Sequence, residues 1–292
     1  MMMRNLLLCF FVLFMSSNAL AQNRSYERHW DAAVQKVRII SYNIFNGFDW
    51  GKDKDREERF VSWVKESQPD ILALQELCGF TEKKLADLAQ QWGHSYVAIV
   101  KEDGYPVGIT SRKPIEVKAK LLEGVGHGLL HVDTYGLELL VTHLNPHDVL
   151  KRRAEAAKIT KYIEDQKLTK YIVMGDLNAH SPADADRLEN SRKGSENVDY
   201  SVISRFLAVP LVDICRRYVA ADSRHTFPTP ILMTVSKQES VRKHSSERID
   251  FILLQPDLLE AVSDAFIYNG SDTDYLSDHY PIGVDLVLPA KD

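Results

Sequence analysis

Tyr171-Ile172-Val173-Met174-Gly175-Asp176-Leu177-Asn178 is a short apolar run that ends abruptly on a glycine, a carboxylate and an amide. A continuous apolar stretch of this length reads as a strand covered on both faces. Downstream, Ser277-Asp278-His279-Tyr280-Pro281 leads into a second such run over 282–288. Carboxylates, an amide and an imidazole at the ends of buried strands are how an α/β scaffold builds a water-activating metal site.

Outward from these two stretches, the chain alternates strand-like and helix-like patterns. β-Branched and aromatic residues predict a first strand over 37–44. Phe60, Val61 and Val64 recur at helical spacing within 57–68, and Pro69 stops that helix. A buried strand over 71–74 precedes a helix over 81–92 with Leu85, Leu88 and Trp92 on one stripe. Short runs over 96–100, 107–110, 115–122, 129–132 and 137–141 read as a meander. After Pro146, the spacing of Val149, Ala156, Ile159 and Ile163 predicts another helix. Residues 181–246 are polar apart from short segments at 202–206 and 211–214, so they read as surface loops and short helices. Strands over 249–254, 261–267 and 282–288 complete a second strand-rich half. The expected fold is α/β, two packed mixed sheets flanked by helices.

The amino terminus has the pattern of a secretory signal. Arg4 precedes an apolar run over 6–15, and Ser16, Ser17, Ala19 and Ala21 supply the small residues of a cleavage region after Ala21. The run is too short to span a bilayer, so no stable membrane anchor is expected. Cys9 sits inside the run without small residues before it, against a lipoprotein. Residues 22–292 contain no linker, repeat or low-complexity tract, and are expected to form one catalytic domain that is exported and monomeric. Without Arg4, the 36 basic residues become 35 against 41 acidic ones, a net charge of −6. That gives no global basic field for a long polyanion, leaving only local patches. Cys78 and Cys215 remain, and a thiolate zinc site would need a closer cluster; two buried thiols are the default over a disulfide.

Several residues carry chemistry. Glu76 follows a buried strand end, where a carboxylate is costly unless paired, and a cation is the obvious partner; a surface or capping glutamate is the plain alternative. Asn43, at the polar end of the first strand, either joins it or caps a turn. Asn178 lies two residues past Asp176, so in extended backbone both side chains point the same way; an Asx-turn is the competing reading. Asp250 shares a strand face with Ile252 and Leu254 and demands a partner, either His279 or a structural base such as Arg248. His143 ends another apolar strand. With His147 it resembles a zinc pair, but Asn145-Pro146 breaks the helix such a pair needs. No Gly-x-Ser-x-Gly elbow and no P-loop are present, and Gly124-Val125-Gly126-His127-Gly128 reads as hairpin flexibility. Glu76, Asp176, Asp250 and Asp278 in one pocket would repel an anionic substrate without a hard cation, which favours Mg²⁺, with Mn²⁺ or Ca²⁺ as alternatives.

Ser41-Tyr42-Asn43, Gln75-Glu76, Thr142-His143-Leu144, Gly175-Asp176-Leu177-Asn178, Arg248-Ile249-Asp250 and Ser277-Asp278-His279 together resemble the endonuclease/exonuclease/phosphatase superfamily, in order and approximate spacing. That group includes deoxyribonuclease I, exonuclease III, sphingomyelinases and inositol-polyphosphate phosphatases, and the resemblance spans residues 37–288. It implies a four-layer α/β sandwich and a divalent metal held mainly by Glu76, with Asn43 and Asp278 beside it. It further implies that Asp250–His279 acts on the nucleophilic water or the phosphoryl oxygens, with Asp176 the competing general base. Asn178 would orient the phosphate, and His143 would stabilise it or protonate the leaving group. The chain departs from some nuclease members after Asn43, where Phe45-Asn46-Gly47 replaces an acidic residue that would serve a second metal.

The expected activity is hydrolysis of a phosphodiester, nuclease-like. The alternatives are a phosphomonoesterase, a phospholipid-head-group phosphodiesterase and, less favoured, an inactive binding module. Lys151-Arg152-Arg153 and Arg112-Lys113 are candidate phosphate contacts for nucleic acid, Arg152 foremost; a solvated helix face is the plain alternative. Neither a membrane-inserting hydrophobic hairpin nor the inositol-phosphatase signature is visible around Arg248.

Overall fold

The computed structural model describes residues 34–186, 188, 198–235 and 246–290. The signal-like segment 1–21 lies outside the described residues. Among the described residues, two six-stranded sheets account for the strands. The first runs in the order β11 (Val262–Ile267), β12 (Ile282–Pro289), β1 (Val34–Asn43), β2 (Ile71–Gln75), β4 (Gly108–Ser111) and β3 (Tyr96–Ile99). The second runs β5 (Glu116–Leu121), β6 (Leu129–Thr134), β7 (Leu137–Thr142), β8 (Tyr171–Asp176), β10 (Asp250–Leu254) and β9 (Val212–Asp213). β1–β2 and β7–β8 are parallel pairs within otherwise antiparallel sheets.

Two organisational expectations need correction. The meander is divided, since β3 and β4 close the first sheet whereas β5, β6 and β7 begin the second. Nor is each sheet one half of the sequence. β12 returns to pair with β1, with Ile282 opposite Ser41 and Val284 opposite Ile39, so the two ends of the catalytic region share a sheet. Local patterning reports where strands are but not which edge they join, so neither feature was readable from periodicity.

Alternation along the strands assigns side chains to three apolar cores. Between the sheets, Ile39, Ile71, Ala73 and Ile109 meet Leu139, Val141, Ile172, Met174 and Ile252. On the outer face of the first sheet, Ile40, Leu72 and Leu74 cover Phe60, Trp63, Val64, Leu85 and Leu88 of helices α1 (Lys54–Ser67) and α2 (Glu82–Ala89). On the outer face of the second, Leu140, Val173 and Leu253 cover Ile159 and Ile163 of α3 (Val149–Gln166) and Ile203 and Phe206 of α4 (Ser201–Ala208). Three cores make four layers, with helices outside and sheets inside. Burial on both faces is why β2, β8 and β10 read as unbroken apolar runs.

The helices begin where their caps sit. Asp53 accepts from the Arg56 amide, Thr81 from that of Lys84, and Asp148 from those of Leu150 and Lys151. α1 therefore starts ahead of the position its apolar spacing suggests, and it ends on left-handed Gln68 before Pro69. Cys78 and Cys215 are both buried free thiols.

Candidate active site

The strand registers bring the functional side chains to one end of both sheets. Asn43 lies opposite Gln75, so Glu76 leaves β2 beside the end of β1. Asp250, at the start of β10, lies opposite Asp176 at the end of β8. His143 follows β7, and Asp278 and His279 precede β12. Gly175 makes the approach of β8 to β7 feasible. Its φ is +139°, and a Cβ there would sit 1.9 Å from the Thr142 carbonyl oxygen, so only glycine fits next to the carboxylate.

Asp176 is the node of the cluster. Its Oδ2 accepts from Asn43 Nδ2 at 3.1 Å and lies 3.4 Å from His143 Nε2 and 3.6 Å from His279 Nε2. Its Oδ1 accepts from the Asn178 amide at 2.9 Å. His279 Nδ1 is 2.9 Å from Asp250 Oδ2, and the Asp250 amide donates to Thr226 Oγ1 at 3.3 Å. Burial pushes the Asp176 carboxyl well above the usual carboxylate range; Asp250 adds to the rise, while His279 and the Asn178 and Asn43 donors oppose it. Burial alone would pull His279 down, but Asp250, Asp176 and Asp278 together outweigh it and hold the imidazole well above its ordinary value. Burial, aided by His127 and His279, lowers His143, which stays neutral. The site thus places one imidazole favoured as a cation between two carboxylates, and one neutral imidazole beside them.

Glu76 stands at the other side of Asn43. Its Oε1 accepts from Asn43 Nδ2 at 3.2 Å and its Oε2 from the Asn46 amide at 2.7 Å. Ser277 Oγ donates to the Asn43 carbonyl at 2.6 Å, tying the Asp278 loop to β1. Burial raises the Asp278 carboxyl to about 6, with His279 opposing and the negative charge of Glu76 adding to the rise. Two carboxylates that feel each other's charge suit a hard divalent cation; Asn43 turns its Nδ2 toward Glu76, and its Oδ1 accepts from the Phe45 amide at 3.0 Å. Asp176, Asp250 and His279 also present ligand atoms within 4.8 Å of one another. Because Asp250 and His279 already satisfy each other, Glu76 and Asp278 are the carboxylates better placed to hold a metal, and Asn43 could join them by turning its amide.

Some sequence readings change in detail. Asn178 is not extended: its φ is 46°, its amide closes the Asx-type contact with Asp176, and its Nδ2 donates to Leu144 O at 3.0 Å. The Asx-turn and a site position are therefore both true of it. Arg152 lies within electrostatic reach of Asp176, but its Nη1 donates to Asn145 O at 2.9 Å. Arg153 pairs with Asp199, and Lys151 is exposed. Arg112-Lys113 do not flank the site. Ser111 is opposite Ile71, the start of β2, which puts both residues at the end of the sheet away from Glu76. His147 is exposed ahead of the Asp148 cap and forms no pair with His143.

Arg248 is not the partner of Asp250. Fully buried, it grips Asp213 through Nη1 and Nη2 at 2.8 and 2.7 Å and Asp184 through Nε at 2.8 Å. This network fixes the loop leading into β10. Three neighbours escaped sequence reading. The Phe227 ring packs on His279 at 5.0 Å between centroids, Thr226 supports Asp250, and His127 stacks on His143 at 4.5 Å. Thr226 and Phe227 lie in an irregular loop without periodicity, and His127 was masked by its glycine neighbours.

The sequence profile described as Endonuclease/Exonuclease/phosphatase family matches residues 40–279. An AP endonuclease from Archaeoglobus fulgidus is similar in structure, with a TM-score of 0.62 and 20% identity over 85% of this chain and 98% of that one. A variant of the 3' phosphatase NExo from Neisseria, bound to product DNA hairpin, has a TM-score of 0.66 and 19% identity over 86% and 99%. A Bacteroides thetaiotaomicron protein described as endonuclease/exonuclease/phosphatase family has a TM-score of 0.57 and 17% identity over 88% and 99%.

Proposed function

The chain belongs to the endonuclease/exonuclease/phosphatase family, whose members are phosphoester hydrolases, and we propose that it is an exported, Mg²⁺-dependent phosphodiesterase acting on nucleic acid. The observation that carries the reading is the meeting of Asp176 with both imidazoles, His143 and His279, beside Glu76 and Asp278. A bound cation, held by Glu76, Asn43 and Asp278, would neutralise phosphate charge and acidify a water.

The chain's own residues supply the rest. Asp176 Oδ2 takes the proton of the attacking water as it adds to phosphorus and the ester P–O bond breaks. Asp250 accepts from His279 Nδ1 and fixes the ring so that Nε2 faces the phosphoryl oxygens, where a cationic imidazole offsets developing charge. His143 Nε2 and the second Nδ2 hydrogen of Asn178 are the remaining donors for phosphate or leaving-group oxygen. Arg152 lies close enough to add positive charge.

The export reading rests on the Arg4, apolar and Ala21 pattern, and the catalytic domain is proposed to begin at residue 22. The runner-up is removal of a terminal phosphomonoester, favoured by the likeness to the Neisseria 3' phosphatase. The test is purified protein with Mg²⁺ against oligonucleotides, 3'-phosphorylated ends, sphingomyelin and sugar phosphates. Internal cleavage of an oligonucleotide supports the reading. Release of inorganic phosphate alone moves the assignment to the phosphomonoesterase, and head-group release alone to the lipid alternative.

A further inference from the structure

A row of rings leads outward from the catalytic pocket. His127 stacks on His143 at 4.5 Å with planes 27° apart, Tyr105 meets His127 at 5.5 Å, and Trp50 meets Tyr105 edge-on at 6.1 Å. Exposure rises along the row, from 2% at His143 to 37% at Tyr105 and 47% at Trp50. Burial, with Lys101 adding to its effect, lowers His127 to about 4, so its ring is neutral at ordinary pH.

The segment that carries Trp50 is costly to form. Phe45, Asn46, Gly47, Phe48, Asp49, Trp50 and Gly51 all have positive φ, a left-handed turn that L-residues avoid. Tertiary contacts enforce it. Phe48 is buried in the core beneath the first sheet, and Gly47 presses on Cys78, where a Cβ would lie 2.2 Å from the carbonyl oxygen. The Asn46 amide is bonded to Glu76 at 2.7 Å. One end of the turn therefore touches the proposed metal ligand while the other presents an exposed indole. Strained segments of this kind concentrate at ligand clamps.

We propose that Trp50 and Tyr105 form a stacking platform for the bases of an unpaired nucleic-acid strand whose scissile phosphate sits at Asp176 and His279. The proposal rests on the phosphodiesterase reading and narrows its substrate to single-stranded nucleic acid. Every base offers a π face to such rings, whereas a paired duplex keeps its faces stacked internally. Lysines flank the row where a strand's phosphates would pass. Lys84 Nζ is bonded to Gly79 O at 3.2 Å, and Lys101 Nζ to Gly126 O at 3.2 Å.

The test measures fluorescence anisotropy of oligothymidylate and of an equal-length abasic oligonucleotide bound to the full chain in chelator. The wild type is expected to bind the base-bearing strand about ten-fold or more tightly. Trp50→Ala and Tyr105→Ala should each remove most of that preference, and Trp50→Phe should keep it. Abasic binding, unchanged throughout, reports that the variants are folded. Equal affinity of the wild type for both strands, or a preference that survives the double alanine variant, overturns the platform. Cleavage with Mg²⁺ is scored separately. Base-dependent binding without cleavage would sink the phosphodiesterase reading and reduce the platform to a binding surface with no scissile phosphate, whereas equal binding with cleavage would overturn the platform and leave the phosphodiesterase reading standing.

Discussion

His279 Nδ1 lies 2.9 Å from Asp250 Oδ2, two groups 29 positions apart in sequence and both buried. The pair sets which nitrogen of His279 faces Asp176, so the two residues are expected to act as one unit. His279→Ala and Asp250→Asn are each expected to lower kcat by about 10²–10⁴-fold. The double variant should be little worse than the poorer single one. Multiplicative losses in steady-state kinetics would instead give Asp250 a separate structural role.

Glu76→Gln keeps the shape of the side chain and its acceptor for the Asn46 amide but removes a charge from the proposed metal site. The metal concentration for half-maximal activity should rise by at least about ten-fold, with a smaller change in the maximal rate. A Mg²⁺ titration of both proteins measures this. An unchanged half-saturation would move the main ligand away from Glu76.

Much of this was legible before the structure. Buried strands betray themselves by continuous apolar runs, and polar residues at their ends stand out, which is what marked Glu76, His143, Asp176, Asp250 and His279 as candidates. Long-range geometry was less accessible. Nothing near Arg112 says that β4 runs antiparallel to β2 and carries it away from Glu76. The left-handed course of Phe45–Gly51 is equally silent, because it is imposed by the packing of Phe48 and Gly47 and opposes the local preference of most of its residues.

Arg248→Met should be severely destabilising although it touches no reacting group. It would leave Asp213 and Asp184 buried with their main counter-charge removed, at a cost of about 3–5 kcal/mol. Arg224, 3.2 Å from Asp184, compensates only in part. Chemical denaturation should show a lowered midpoint with little change in slope; wild-type stability would mean the network is dispensable.

His94 predicts an acid-sensitive fold away from the site. Its Nδ1 is 2.7 Å from Thr110 Oγ1 and its Nε2 2.9 Å from Pro69 O, with Arg112 and Asp70 nearby. Burial lowers its pKa to about 4, so the unfolded chain binds the extra proton between pH 4 and 6.5. The stabilisation is complete above about pH 6.5 and is lost as pH falls toward 4, amounting to about 3 kcal/mol. Subtracting the denaturation profile of His94→Gln from that of the wild type should recover this slope; parallel profiles would contradict it.

The most direct measurement is oligonucleotide hydrolysis by the wild type and by Asp176→Asn, in chelator and then at saturating Mg²⁺. The wild type should be inactive in chelator and recover fully with Mg²⁺. Asp176→Asn at the same Mg²⁺ should remain slower by about 10²–10⁴-fold, since it lacks the group proposed to take the water's proton. Wild-type turnover that persists in chelator, or an Asp176→Asn variant as fast as the wild type, would contradict a metal-assisted hydrolysis centred on Asp176.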